Sequence, residues 1–146
     1  MTIFTCLVCG MPLTGDLAET ALSDEPSEQA ANDHGVPVTR VRPGRFAVDP
    51  EPFGPPYVPA TADPRVHVSD GPRGTILVNP HDVHGFGPHP DPSRRNGCCR
   101  LDGLDGPNLV CRGCGSEVAT EQSDCWVSWH DLRLQPAAVT ASRRAR

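Results

Sequence analysis

The chain carries the motif Cys-x-x-Cys-Gly twice, as Cys6-Leu7-Val8-Cys9-Gly10 and as Cys111-Arg112-Gly113-Cys114-Gly115. A tight turn at this spacing aims two thiolates at one cation, and two such turns supply the four sulfurs of a tetrahedral zinc site. Glycine after each second cysteine suits the positive φ that such turns often need. Cys6, Cys9, Cys111 and Cys114 are therefore expected to share one structural Zn²⁺, with each sulfur at about 2.3 Å. The alternative is two separate pairs, acting as redox couples or merely as adjacent thiols. Distance along the chain is no objection, because loop closure costs only about 0.6 kcal/mol per doubling of length. Structural zinc contributes on the order of 10–16 kcal/mol in small peptides.

Three more cysteines, Cys98, Cys99 and Cys125, form a possible second site if a histidine from among His81, His84, His89 and His130 completes a Cys₃His set. Neighbouring residues on a strand face opposite surfaces, which counts against Cys98 and Cys99 acting together. Another partition places Cys98 or Cys99 with Cys111 and Cys114. The same three thiols also support a redox reading, with Arg94, Arg95 and Arg100 supplying the positive charge that favours thiolate. The plainest reading makes them small core residues.

Other chemistry is poorly supported. His81 and His84 stand at i, i+3, but the Glu of a His-Glu-x-x-His helix is missing, and Gly85 and Gly87 argue for a loop. No Gly-x-Ser-x-Gly elbow occurs, and Asp102 and Asp105 sit in Asp-Gly turns rather than in a calcium loop. All 13 basic residues are arginine, so there is no lysine for a phosphate-binding loop or a Schiff base. A non-catalytic protein is expected.

The elements that must hold these cysteines are short. Residues 1–13 read as strand, knuckle, strand, and 14–35 as an acidic loop, with a short helix or strand near Leu17–Leu22 that Pro26 stops. Residues 36–97 form a Pro/Gly-rich insertion with strands at Arg45–Val48, Val66–Val68 and Thr75–Val78. Asn79 caps a turn begun by Pro80. The tract Asp49–Tyr57 is expected to be a stiff extended strap over a small core. Residues 98–136 carry the second knuckle and a C-terminal hairpin, with strands at Leu109–Val110, Glu117–Thr120 and Cys125–Val127 and with Trp126 and Trp129 in the core. Residues 137–146 are a basic tail.

Composition agrees with one β-rich domain of 146 residues. Valine, leucine, isoleucine and phenylalanine make up about a fifth of the chain, a thin core that a metal staple would help to stabilise. The formal net charge of −5 disfavours nucleic acid, although Arg40, Arg42 and Arg45 beside Phe46 form a short basic stripe. No apolar run reaches a membrane span, and no secretory leader is evident, so a cytoplasmic location is expected. There, clustered cysteines read first as metal ligands or redox groups.

The segments Asp102–Cys111, Val118–Thr120 with Asp124-Cys125, and Ala47–Pro56 resemble a family of small actinobacterial cysteine-rich, zinc-ribbon-like proteins of unknown function. The resemblance covers about a third of the chain and implies an actinobacterial source, which suits the missing lysine. It implies no activity, and no catalytic residue is carried over from it. The fold expected is mainly β with long irregular loops, its zinc-ribbon-like hairpins joined by the Pro/Gly-rich insertion. The function expected is that of a small non-catalytic zinc-binding protein working through a protein partner. The alternatives are a thiol/redox sensor using Cys98, Cys99 and Cys125 and, less favoured, a nucleic-acid-binding ribbon.

Overall fold

A computed structural model describes residues 1–25 and 37–145. Much of the expected acidic loop, including Pro26, Glu28 and Asn32, lies outside the described residues, as do Val36 and Arg146. The chain is mainly β, with irregular loops between short strands. Few apolar residues and many prolines and glycines keep each strand brief.

The largest sheet contains β2 (Ala18–Glu19), β3 (Arg45–Asp49), β6 (Thr75–Val78), β7 (Phe86–Pro88), β8 (Leu109–Cys111), β9 (Glu117–Gln122) and β10 (Asp131–Leu134). Its spatial order is β2-β3-β6-β10-β9-β8-β7. All neighbours are antiparallel except β2 with β3. A separate ribbon pairs β1 (Thr2–Cys6) with β11 (Val139–Arg143), and a small hairpin pairs β4 (Tyr57–Pro59) with β5 (His67–Ser69).

Side-chain alternation divides the sheet into two faces. Phe46, Ile76, Val78, Leu132 and Leu134 point toward the ribbon and form the main core with Phe4, Leu13 and Leu17. Phe4 meets Phe46 edge to face, with centroids 5.0 Å apart, a favoured aromatic arrangement. In β1 the residues Thr2, Phe4 and Cys6 all point inward, so the first knuckle begins where the strand leaves the core.

The opposite face holds Ala47 and Leu77 under Val41 and Leu22, together with a row of buried charges. Asp131 accepts from Arg40 Nε and Nη2 at 3.1 and 2.9 Å and from Arg133 Nη2 at 3.3 Å. Arg133 Nη1 donates to Asp49 Oδ2 at 2.7 Å and to Thr75 Oγ1 at 3.1 Å. Among the described residues the Arg133 Nε has no hydrogen-bond partner, but the guanidinium carbon lies 4.1 Å from the centroid of the Phe53 ring. The proline-rich tract thus acts as a strap, covering a cation that would otherwise face water.

Three expectations need correction. Residues 139–143 are not a tail: β11 pairs with β1 along its whole length, from Thr2 opposite Arg143 to Cys6 opposite Val139. Backbone pairing needs little apolar content, and Val-Thr-Ala-Ser-Arg has little. The third strand of the C-terminal meander is Asp131–Leu134 rather than Cys125–Val127; the latter segment turns around a buried carboxylate described below. Trp126 is 58% exposed instead of sitting in the core, because its indole N–H is drawn to that carboxylate. Among the described residues no helix is long and apolar enough to cross a membrane.

Candidate metal centre

The two Cys-x-x-Cys-Gly turns are built alike. Cys6 N–H donates to the Met11 carbonyl at 2.8 Å, and Cys111 N–H to the Ser116 carbonyl at 2.9 Å. Gly10 N–H returns to the Cys6 carbonyl and Gly115 N–H to the Cys111 carbonyl, both at 2.8 Å. Gly10 and Gly115 have φ of 75° and 77°, the left-handed region that side chains with a Cβ avoid. The glycines thus serve the role that their position in the motif predicts. The first turn leaves β1 and the second joins β8 to β9.

The turns face each other so that the first cysteine of each meets the second of the other. Cys6 Sγ is 3.6 Å from Cys114 Sγ, and Cys9 Sγ is 3.6 Å from Cys111 Sγ. All four sulfurs lie within 4.8 Å of one another. A tetrahedron with sulfur at about 2.3 Å from its centre has edges of about 3.8 Å, so this spacing suits a cation bound by four thiolates. Cys6 and Cys111 are buried, while Cys9 and Cys114 reach the surface.

Neighbours that the motif alone does not reveal complete the site. Gly113 N–H points at Cys111 Sγ from 3.3 Å. A Cβ at Gly113 would sit 3.1 Å from Cys9 Sγ and 3.2 Å from Met11 Sδ, so the sulfurs pack against bare backbone there. The Ser116 hydroxyl lies 3.1 Å from Cys114 Sγ. Its hydrogen bond, with help from the Ser116 N–H, holds the Cys114 thiol down at about 6 against the effect of burial. At Cys9 the Met11 backbone N–H favours thiolate, but burial and the three facing sulfurs outweigh it and push the thiol up to about 11. Such opposition is expected where four ionisable sulfurs crowd one point, and a dication at their centre would relieve it.

Cys98, Cys99 and Cys125 also converge. Cys99 Sγ is 3.1 Å from Cys125 Sγ and 3.9 Å from Cys98 Sγ, and the three lie within 4.8 Å of one another. The expected divergence of adjacent cysteines does not occur, because this segment is a turn and not a strand. Its organiser is Asp124, which is fully buried. Asp124 Oδ1 accepts from the backbone N–H of Cys99, Arg100 and Cys125 at 2.8, 3.1 and 2.8 Å. Oδ2 accepts from Cys98 N–H at 2.7 Å and from Trp126 Nε1 at 2.8 Å. Although burial opposes ionisation, these donors keep the Asp124 carboxyl well below the usual range. The Cys125 thiol is pushed up to about 12, first by its contact with Cys99 and then by burial.

No described histidine joins either cluster. His89 Nδ1 accepts from Asp91 N–H at 3.0 Å, and His130 Nε2 stands 3.9 Å from Glu121 Oε1. His81 lies within the 3-10 turn Pro80–Asp82, which Asn79 caps as predicted, and His84 lies beyond its end; they do not present a helical face. The partition placing Cys98 or Cys99 with Cys111 and Cys114 is also set aside, since the N-terminal pair occupies that position. The basic stripe is broken up: Arg40 binds Asp131 and Asp24, and Phe46 is in the core.

The chain matches no protein-family model, no curated protein and no solved structure. Its own geometry defines a cysteine-rich β protein with two thiol clusters, each able to hold a metal ion.

Proposed function

We propose that the chain is a small, non-catalytic zinc protein. One Zn²⁺ held by Cys6, Cys9, Cys111 and Cys114 clamps the end of β1 to the β8–β9 hairpin, and the folded surface works by contact with a protein partner. The observation that carries this reading is the convergence of four sulfurs, all within 4.8 Å of one another, from two turns with matching backbone hydrogen bonds. Thiolates select zinc over hard cations, and a closed four-sulfur shell leaves no position for substrate. The clamp lies beside the β1–β11 ribbon, where a thin core benefits most from a staple. A zinc-ribbon-like reading is supported by the knuckle at the β8–β9 hairpin, with the other knuckle supplied from β1.

Partner contact is supported by Leu7 and Val8 at the tip of the first knuckle, 59% and 71% exposed. Apolar side chains held on a rigid turn suit a protein interface. Seven free thiols suit a reducing compartment such as the cytoplasm.

The test is elemental analysis of purified protein, with circular dichroism before and after a strong chelator. Bound zinc together with loss of cooperative melting on its removal supports the reading. Less than half an equivalent of any metal in a folded chain contradicts it. For the surface, a Leu7→Asp, Val8→Asp variant retains zinc but loses a stoichiometric partner that copurifies with the wild type; equal copurification contradicts that role.

A further inference from the structure

We propose that Cys98, Cys99 and Cys125 form a second metal centre of a different kind: an open three-thiolate site for a thiophilic cation. Its remaining coordination position is left to a ligand from outside the chain. Cation entry displaces thiol protons, and no electron moves.

Three observations carry this. First, the sulfurs are preorganised. The backbone N–H groups of all three cysteines end on the one buried carboxylate of Asp124, which fixes their relative positions before any ion arrives. The turn also requires glycine at 97, where a Cβ would fall 1.6 Å from the Arg100 carbonyl oxygen. A buried carboxylate with five donors is an expensive device for a surface loop, and holding three thiols at one point accounts for it.

Second, no described residue supplies a fourth ligand. Both Asp124 oxygens are engaged, and no described histidine, aspartate or glutamate joins the three sulfurs. Third, the site faces water: all three cysteines are exposed, whereas the four-sulfur cluster buries two of its members. Three ligands with an open position is the arrangement by which bound zinc meets an exogenous ligand. A disulfide between Cys99 and Cys125 would use only two of the three sulfurs and leave the placement of Cys98 unexplained.

Reduced wild-type chain and the Cys98→Ser, Cys99→Ser, Cys125→Ser triple variant are saturated with Zn²⁺, desalted and analysed for metal. The expected result is one more equivalent in the wild type than in the variant. Equal content overturns the proposal, as does equal content accompanied by a wild-type mass two hydrogens lighter in air, which marks a Cys99–Cys125 disulfide instead. Failure of the four-cysteine reading looks different: the triple variant then carries no zinc at all. A second measurement does not depend on the variant folding. Wild type loaded with Co²⁺ is titrated with imidazole while its visible bands and the fluorescence of Trp126 and Trp129 are followed. Bands that shift at one of two ions support an open site, and bands unmoved by imidazole overturn it.

Discussion

Cys6 and Cys114, separated by 108 positions in sequence, place their sulfurs 3.6 Å apart. Cys9 and Cys111 repeat that distance, so each knuckle supplies one buried and one exposed ligand. The N-terminal strand is therefore held twice, by pairing with β11 and, through this crossed set of sulfurs, by the β8–β9 turn. The two junctions share a residue, since Cys6 is both the last residue of β1 and a member of the cluster.

Shared use of Cys6 couples ribbon to metal. Truncation after Ala138 removes β11 and is expected to weaken zinc binding as well as stability, although no ligand is deleted. Ending the chain at Arg143 is expected to change either little, because among the described residues Arg144 adds two exposed-end bonds with Met1, at 2.8 and 3.4 Å, and a long, exposed pairing with Asp16. Zinc competition with a chromophoric chelator checks both; a chain ending at Ala138 that binds as tightly as wild type contradicts the coupling.

The knuckle glycines make separable demands. Gly10→Ala and Gly115→Ala meet nothing within 4 Å, so only backbone strain is felt, about 1–2 kcal/mol each. Gly113→Ala instead presses on Cys9 and Met11 and is expected to weaken zinc about tenfold, the usual scale for groups that orient metal ligands. Denaturant midpoints and zinc affinities for the three variants should separate in that order.

Asp124 is expected to govern the second cluster. Asp124→Asn keeps the shape but turns one acceptor into a donor facing N–H groups, a loss on the order of 2–3 kcal/mol. Amide exchange at Cys98, Cys99, Arg100 and Cys125 should accelerate together while β6 and β10 stay protected. Unchanged exchange at those four amides contradicts the role given to this carboxylate.

The buried charges give a pH dependence of defined sign. Burial alone would raise the Asp49 carboxyl, but hydrogen bonds from Arg133 and from Glu51 N–H lower it below its ordinary 3.8. A group depressed in the folded state adds stability above its unfolded value and loses it as pH falls through the folded one. Arg133→Met is expected to cost about 3–5 kcal/mol near neutrality, since buried Asp49 loses its paired cation while Asp131 keeps Arg40. That deficit should narrow below pH 3.8 as Asp49 protonates. Urea midpoints of the two chains across acid pH provide the check, and a constant gap contradicts the assignment.

The parts of this architecture legible in sequence are those encoded locally. Cys-x-x-Cys-Gly announces both the turn and its positive φ, and Thr75–Val78 reads as a buried strand because its apolar run is uninterrupted. Asn79-Pro80 announces its own capped turn. What escaped detection depends on distant partners. Nothing near Arg133 reveals that it meets Asp49, 84 positions away, or that Phe53 covers it. Val139–Arg143 shows little apolar pattern, since apart from buried Val139 its pairing is through backbone. Asp124 sits beside Cys125 in plain view, yet its role depends on a turn 24–26 residues earlier folding back upon it. Trp126 misled for the same reason: size suggested the core, while one hydrogen bond keeps it at the surface.

X-ray absorption at the zinc edge tests the central claim most directly, using the chain in which Cys98, Cys99 and Cys125 are serine so that only one cluster remains. One zinc with four sulfurs at about 2.3 Å, lost equally in added Cys6→Ser and Cys111→Ser changes, is the predicted result. A shell containing nitrogen or oxygen, or zinc that survives removal of either knuckle, contradicts a shared ion.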